Sequence, residues 1–203
     1  MNLQQQFGPI DIYVFDQFLR GNIGPGMRIF DAGCGGGRNL VYLLREGYDV
    51  SGVDADPYAV ESVRNMALQL GHAPVDFRNE PIESSTFPNA FADVVLSNAV
   101  MHFARDDAQF NAMLSGMWRV LKRGGLLFCR LASSIGIEQR IVPLNGRRCL
   151  LPDGSERYLV DEKMLVQLTE ELGGTLIDPI KTTVVQDQRA MTTWVVRKHC
   201  GEQ

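Results

Sequence analysis

No cysteine in this chain stands in a C-x-x-C pair. The four present, Cys34, Cys129, Cys149 and Cys200, are scattered over 203 residues. That argues against a thiolate zinc module or a disulfide framework and fits a reducing compartment. No apolar run approaches the roughly 18 residues that a membrane span needs. Residues Met1 to Gln6 hold neither a basic group nor an apolar stretch, so no signal peptide is expected. Positive charge is also short: 20 Lys and Arg against 24 Asp and Glu leave a net −4. Broad nucleic-acid or anionic-membrane binding is therefore not expected, although a small local basic pocket remains compatible with the total. Repeats and low-complexity tracts are missing. These absences fit a cytoplasmic chain of one domain.

What is present is an alternation of strand and helix signals. A lead-in helix is expected over roughly 8–22, with Ile12, Phe15, Phe18 and Leu19 at helical spacing. Strands are expected at 27–30, 48–53, 75–78, 91–97 and 126–131, with helices at 38–46, from Pro57 to Leu70, and at 106–122. Gly71 ends the second of these helices and Gly124-Gly125 breaks the third. The run at 91–97 is continuously apolar, as in a sheet covered on both faces. Pro152-Asp153-Gly154-Ser155 joins Arg147–Leu151 to Glu156–Val160 as a hairpin, Asp161 caps a last helix, and 182–186 and 191–198 read as edge strands. The pattern is an α/β three-layer fold: a mostly parallel Rossmann-like sheet with an antiparallel edge and a small late hairpin.

The most informative stretch is Ile29-Phe30-Asp31-Ala32-Gly33-Cys34-Gly35-Gly36-Gly37-Arg38. A buried strand ends in an acidic residue, and a glycine-rich turn then leads into a helix. Such a turn lets backbone approach a ligand where a Cβ would clash, and it aims N–H groups into the same space. A second acid, Asp54, ends the next apolar run, about 20 residues on, where a βαβ unit holds a nucleotide ribose. Both features point to an adenosine-containing cofactor. The glycines do not follow G-x-G-x-x-G, the dinucleotide spacing. A carboxylate at Asp31 repels a pyrophosphate and suits a cationic amino group, such as that of S-adenosylmethionine (SAM).

At this point the chain resembles the class I SAM-dependent methyltransferases. Four ordered segments carry the resemblance: residues 31–37, Val53-Asp54, Ala92 to Phe103, and Leu121-Lys122-Arg123-Gly124-Gly125. It is strong over 27–131, with a weaker echo in Arg157-Tyr158-Leu159-Val160. The resemblance implies that Asp31, Ala32, Gly33, Cys34, Gly35 and Gly37 wrap the methionine end of SAM. It also implies that Asp54 takes the ribose hydroxyls and that Ala55 lies against the adenine. Glu80 and Ile82 are the candidates for the adenine edge, and Ser97 and Asn98 for contacts at the end of the fourth strand. His102 is either a general base or a packing residue, since an ordinary His titrates near neutrality and methyl transfer to a good nucleophile needs no base. Phe7 and Tyr13 are candidate cover and substrate contacts. Arg130 is the candidate for a carboxylate or phosphate on the acceptor, whereas Arg147 and Arg148 read as a solvated face. The expected division is a lead-in lid (1–24), a SAM-binding core (27–131), a variable substrate region (132–160) and a closing helix with edge strands (161–203). The implied activity is methyl transfer to a small-molecule acceptor by SN2 displacement, with a catalytically silent SAM-binding sensor or partner subunit as the alternative. No metal is expected, and the acceptor atom stays open.

Overall fold

A computed structural model describes residues 2–72 and 74–201. Met1, Ala73 and the last two positions, all inside the expected domain span, lie outside the described residues. Two helices lead in, α1 (Leu3–Phe7) and α2 (Ile12–Leu19). The single lead-in helix expected over 8–22 is therefore shorter and preceded by another. Gly8, in the left-handed region at φ 63°, and Pro9 keep the two apart. The core follows as β1 (Arg28–Ala32), α3 (Val41–Arg45), β2 (Asp49–Asp54), α4 (Pro57–Gln69), β3 (Asp76–Asn79), β4 (Ala92–Asn98), α5 (Asp107–Val120) and β5 (Leu121–Ser133). The tail adds β6 (Val142–Asn145), β7 (Arg148–Leu150), β8 (Glu156–Tyr158), α6 (Glu162–Glu171), β9 (Gly174–Leu176), β10 (Lys181–Val185) and β11 (Arg189–Lys198).

The main sheet runs in the order β10-β11-β5-β4-β1-β2-β3, with β9 also pairing β11. The pairs among β1 to β5 are parallel, and β11 is antiparallel to β5, β9 and β10. Successive residues of a strand point to opposite faces. On β1, Ile29 therefore joins the core beneath α3 and α4 with Leu43, Val60 and Val63. Its neighbour Phe30 joins the core beneath α5 and α6 with Phe110, Met117 and Leu165. Covering both faces is why the inner strands read as continuous apolar runs. Each fully buried side chain of this size contributes about 1.5–3 kcal/mol.

Two expectations need correction. Gly124-Gly125 does not precede the fifth strand but lies inside it, because Leu121 already pairs with Ala92 and the register shifts before Val94 meets Leu126. Gly124 adopts φ 74°, and a Cβ on Gly125 would come within 2.9 Å of the Asp93 carbonyl, so the glycine pair forms a bulge. The late hairpin, β7 with β8, carries a third strand, β6, and these form a separate antiparallel sheet.

One packing contact sets the cleft described below. Helix α5 lies against the short 3-10 turn Ile82–Ser84 at Gly116, where a Cβ would stand 2.6 Å from the Ile82 carbonyl oxygen. Arg119, one turn on, donates to the carbonyls of Ser85 and Phe87. Gly116→Val should therefore lower stability by about 1–3 kcal/mol, the usual cost of overpacking. Urea denaturation would show this, and an unchanged midpoint would mean that the turn yields freely.

Candidate functional site

Parallel pairing brings the carboxyl ends of β1, β2 and β4 together. Asp31 pairs in register with Gly52 and Leu96, so Asp54 and Asn98 project from the same edge two residues further along their strands. Ligands in open α/β sheets bind at such an edge. Here a cleft of about 480 Å³ opens, lined by Asp31, Gly33 to Gly36, Arg38, Asn39, Asp54, Ala55, Pro81 to Glu83, Asn98 to Val100, Phe103, Gln109 and Met113.

The glycine loop forms one wall for local reasons. Gly33, Gly35 and Gly37 have φ of 90°, 51° and 75°, all left-handed. A Cβ on Gly33 would lie 2.6 Å from the Val100 side chain, and one on Gly37 would overlap Met66. A Cβ on Gly35 would meet no atom within 4 Å. At Gly33 and Gly37 the missing side chain serves packing, whereas at Gly35 it leaves open space. The Gly35 N–H donates to Asp54 Oδ2 at 2.8 Å, and the Asp56 N–H donates to Oδ1 at 2.9 Å. Each carboxylate oxygen of Asp54 thus holds one backbone bond and keeps capacity for a second. Ala99, at φ 64°, is left-handed without being glycine. That strain turns the chain after β4 and seats Val100 over Gly33.

Asp31 is buried, with 2% of its surface exposed. Burial pushes its pKa up to about 8, the charge of Asp54 adds to the rise, and Arg38 opposes it. Arg38 itself donates to Asp11 at 3.2 Å and to Asn98 Oδ1 at 3.0 Å. Asn98 Nδ2 is buried with no hydrogen-bond partner among the described residues.

A second chamber of about 280 Å³ shares Arg38 and Ala99 with the cleft. Its other walls are His102, Arg130, Ala132, Val185, Arg189, Met191 and the hairpin residues Leu151, Asp153, Ser155 and Arg157. His102 is buried, and its Nδ1 accepts from the Ala132 N–H at 3.2 Å. The ring proton then sits on Nε2. Burial, followed by the charges of Arg157 and Arg130, lowers the His102 pKa to about 4. His102 is thus a neutral donor with no free lone pair, and the general-base reading is withdrawn.

Of the residues singled out in the sequence, Asp31, Gly33, Cys34, Gly35, Asp54, Ala55, Ile82 and Asn98 share the cleft. Ala32, Gly37 and Ser97 are buried and do not line it. Glu80 is turned away, its carboxylate held by the N–H and hydroxyl of Thr86 at 2.8 and 2.6 Å. Glu83 takes a place on the wall instead, brought there by the 3-10 turn. Phe7 packs on Phe15 and Tyr42, away from both cavities, and the Tyr13 hydroxyl bonds Thr183 at 2.6 Å. Arg130 lines the second chamber, whereas Arg147 and Arg148 are paired with Asp161 and Glu156 outside it. Arg38, Arg157 and Arg189 carried no signal of their own. Among the described residues no cluster of three or more metal-ligating side chains occurs, and no helix is long and apolar enough to cross a membrane.

Comparison with known proteins bears on this geometry. A family model described as "Methyltransferase domain" matches residues 30–129. A ubiquinone biosynthesis O-methyltransferase of Cereibacter sphaeroides is 36% identical over 104 residues, covering 51% of this chain and 40% of its own length. The chain thus spans about two-fifths of that relative. Among solved structures, a SAM-dependent methyltransferase from Methanosarcina mazei superposes with a TM-score of 0.73 at 19% identity, covering 91% of this chain and 98% of that one. A 1,6-didemethyltoxoflavin N1-methyltransferase from Burkholderia thailandensis, solved with its substrate and S-adenosylhomocysteine (SAH), gives 0.71 at 19% identity over 98% of this chain and 81% of that one.

The raised pKa of Asp31 has a consequence for stability. The unfolded carboxyl ionises near its model value of 3.8 and the folded one only near 8, so unfolding releases a proton across that window. Stability conferred by this group is present at low pH and declines as pH rises from about 4 to about 8. Asp31→Asn removes the decline. The variant should be more stable than the parent at pH 8 and nearly equal to it at pH 4. Urea denaturation at the two pH values checks this, and a pH-independent difference would contradict it.

Proposed function

The chain belongs to the class I SAM-dependent methyltransferase family, and from that premise we propose that it transfers the methyl group of SAM to a small-molecule acceptor. One observation carries the reading beyond the family. Two carboxylates, Asp31 and Asp54, face a single cleft, and the guanidinium that eases their repulsion, Arg38, is already bonded to Asp11 and Asn98. A cleft of this kind favours a ligand that brings positive charge.

The residues fit SAM. Asp31 receives the ammonium of the methionine end, and Arg38 lies at hand for its carboxylate. Asp54 takes the two ribose hydroxyls with the acceptor capacity that Gly35 and Asp56 leave unused. Gly35 and Gly36 leave the space of two side chains free for the ligand. Pro81, Ile82 and Met113 give the adenine an apolar wall, with Glu83 in the place expected for Glu80. When bound, SAM supplies an electrophilic methyl group open to in-line displacement. The chain contributes position and dryness. Phe103 and Val100 add apolar surface to the cleft wall, and Asn98 offers its unpaired Nδ2 in the same cleft. Aligned reactants account for much of the rate in reactions of this type. With His102 holding its proton on Nε2, no base is assigned, and the acceptor nucleophile loses its proton to solvent or enters without one.

In the division of labour we propose, residues 1–24 close the site from one side, 27–131 hold SAM, 132–160 shape the acceptor chamber and 161–203 complete the sheet. A cytoplasmic monomer or homodimer suits that reading.

Calorimetric titration with SAM and with SAH, against NADH as control, tests it. Micromolar binding of the first two and none of NADH is expected; heat with NADH alone, or with nothing, would overturn the reading. Because Asp31 holds a proton below about pH 8, the ammonium should expel it, and SAM affinity should rise with pH toward that value. Asp54→Ala should weaken binding at least about tenfold, roughly 1.4 kcal/mol, without unfolding the chain. Gly35→Val should abolish binding, since its side chain enters the cleft.

A further inference from the structure

The second chamber is richer in cations than anything near it. Four guanidinium groups border it, from Arg38, Arg130, Arg157 and Arg189. Two carboxylates answer them. Asp11 is shared between Arg38 and Arg130, at 3.2 Å from each. Asp153 sits in the chamber wall, bonded to the N–H and hydroxyl of Ser155, where Arg157 and Arg189 hold its carboxyl below the usual range in support of those bonds. The His102 ring adds no positive charge, for the reasons given above. Arg38 also faces Asp31 in the cleft; leaving it out, Arg130, Arg157 and Arg189 against Asp11 and Asp153 still give a surplus of positive charge around about 280 Å³.

The surplus is also under-bonded where it is most buried. Arg130 Nε has no hydrogen-bond partner among the described residues, and the side chain is only 18% exposed. A desolvated guanidinium offers a planar fork of donors that matches a carboxylate or phosphate. The Tyr13 ring, 5.2 Å from Arg130 Cζ, steadies the guanidinium from another side without occupying a donor.

On the methyltransferase reading above, we propose that this chamber is the acceptor site and that it recognises the acceptor by an anionic group, a carboxylate or a phosphate, held between Arg130, Arg157 and Arg189. The site shares the Arg38 and Ala99 walls with the SAM cleft, so an acceptor anchored in the chamber presents its far end toward the cleft. The Nε2–H of His102, on the same wall, is a further donor for the anion or for a polar group beside it. The arginines thus select the acceptor by charge, and the methyl-accepting atom lies on the part of the molecule that they do not hold.

The experiment uses the whole chain saturated with SAH, so that the cleft itself cannot bind the probe. Benzoate, phenyl phosphate, inorganic phosphate and neutral benzamide are titrated in turn by calorimetry. At least one of the organic anions should bind about tenfold or more tightly than benzamide. Preference for phenyl phosphate over benzoate, or the reverse, identifies which anion the chamber takes, and inorganic phosphate reports whether the charge alone suffices. The double variant Arg157→Gln with Arg189→Gln should lose the preference while keeping its affinity for SAH, which also certifies its fold. If anions and benzamide bind equally, or none binds while SAH does, the anion proposal falls and the methyltransferase reading stands. If the parent chain fails to bind SAH at all, the reading beneath the proposal falls first. A preference that survives in the double variant, and in Arg130→Gln as well, would place the anion elsewhere and overturn the assignment.

Discussion

Two carboxylates at the ends of neighbouring parallel strands repel each other, and the fold holds them there. Asp31 and Asp54 cannot separate because β1 and β2 are paired residue by residue and both strands run through cores with almost no exposed surface. Asp54 is fixed further by two backbone N–H groups, and Asp31, pushed first by its burial and then by the Asp54 charge, retains its proton. A site of this kind sacrifices stability in the free protein and recovers it when a cation arrives, a trade common at functional positions. The glycine loop is the geometric partner of this electrostatic one. Gly35 must be left-handed for its N–H to reach Asp54, and it must lack a side chain for a ligand to approach.

A third carboxylate, Asp11, ties the lead-in segment to both cavities. It caps α2 through the Tyr13 N–H at 2.9 Å, accepts Arg38 and Arg130 at 3.2 Å each, and its own N–H donates to Asn39 at 3.0 Å. With 7% side-chain exposure, this acid would be costly to bury alone, and the two guanidiniums compensate it. Arg38 comes from the loop after β1 and Arg130 from β5, so one buried ion cluster fastens the segment to the glycine loop and to the far strand together. The aromatic cover expected from Phe7 and Tyr13 is thus replaced by an ionic fastener, with Phe7 spent on packing against Phe15 and Tyr42.

The parts legible in the sequence were those written in contiguous runs. Apolar strands covered on both faces, the glycine loop, the cap at Asp161 and the hairpin turn at 152–155 each announce themselves within a few residues. Misplaced features depended on geometry that a linear pattern does not carry. Glu80 and Glu83 are equally acidic, and the 3-10 turn at Ile82–Ser84, set by α5 packing at Gly116, decides which one faces the cleft. Ser97 is buried away from the cleft while Ala99 and Val100 form the wall, and the left-handed turn at Ala99 comes at an alanine that gives no warning of it. Gly124-Gly125 looks like a break and is a bulge, since the strand's pairing with β4 begins before the glycines. Arg157 and Arg189 sit far apart in sequence and meet only because the hairpin folds back against the start of β11.

The two cavities divide charge between them, and the division has a physical use. The cleft carries Asp31, Asp54 and Glu83, while the chamber carries a surplus of guanidinium. At the boundary stand Arg38 and the strained Ala99, common to both. A cationic cofactor is drawn to the acidic side and opposed on the basic side, so each ligand has one compartment in which its charge is welcome. Burial first, and then the charges of Arg157 and Arg130, lower the affinity of His102 for a proton. A buried ring beside two guanidiniums is a poor place for an imidazolium, so His102 stays neutral and donates through Nε2. General-base catalysis by this histidine and anion recognition by these arginines are competing uses of one space, and the charges present favour recognition.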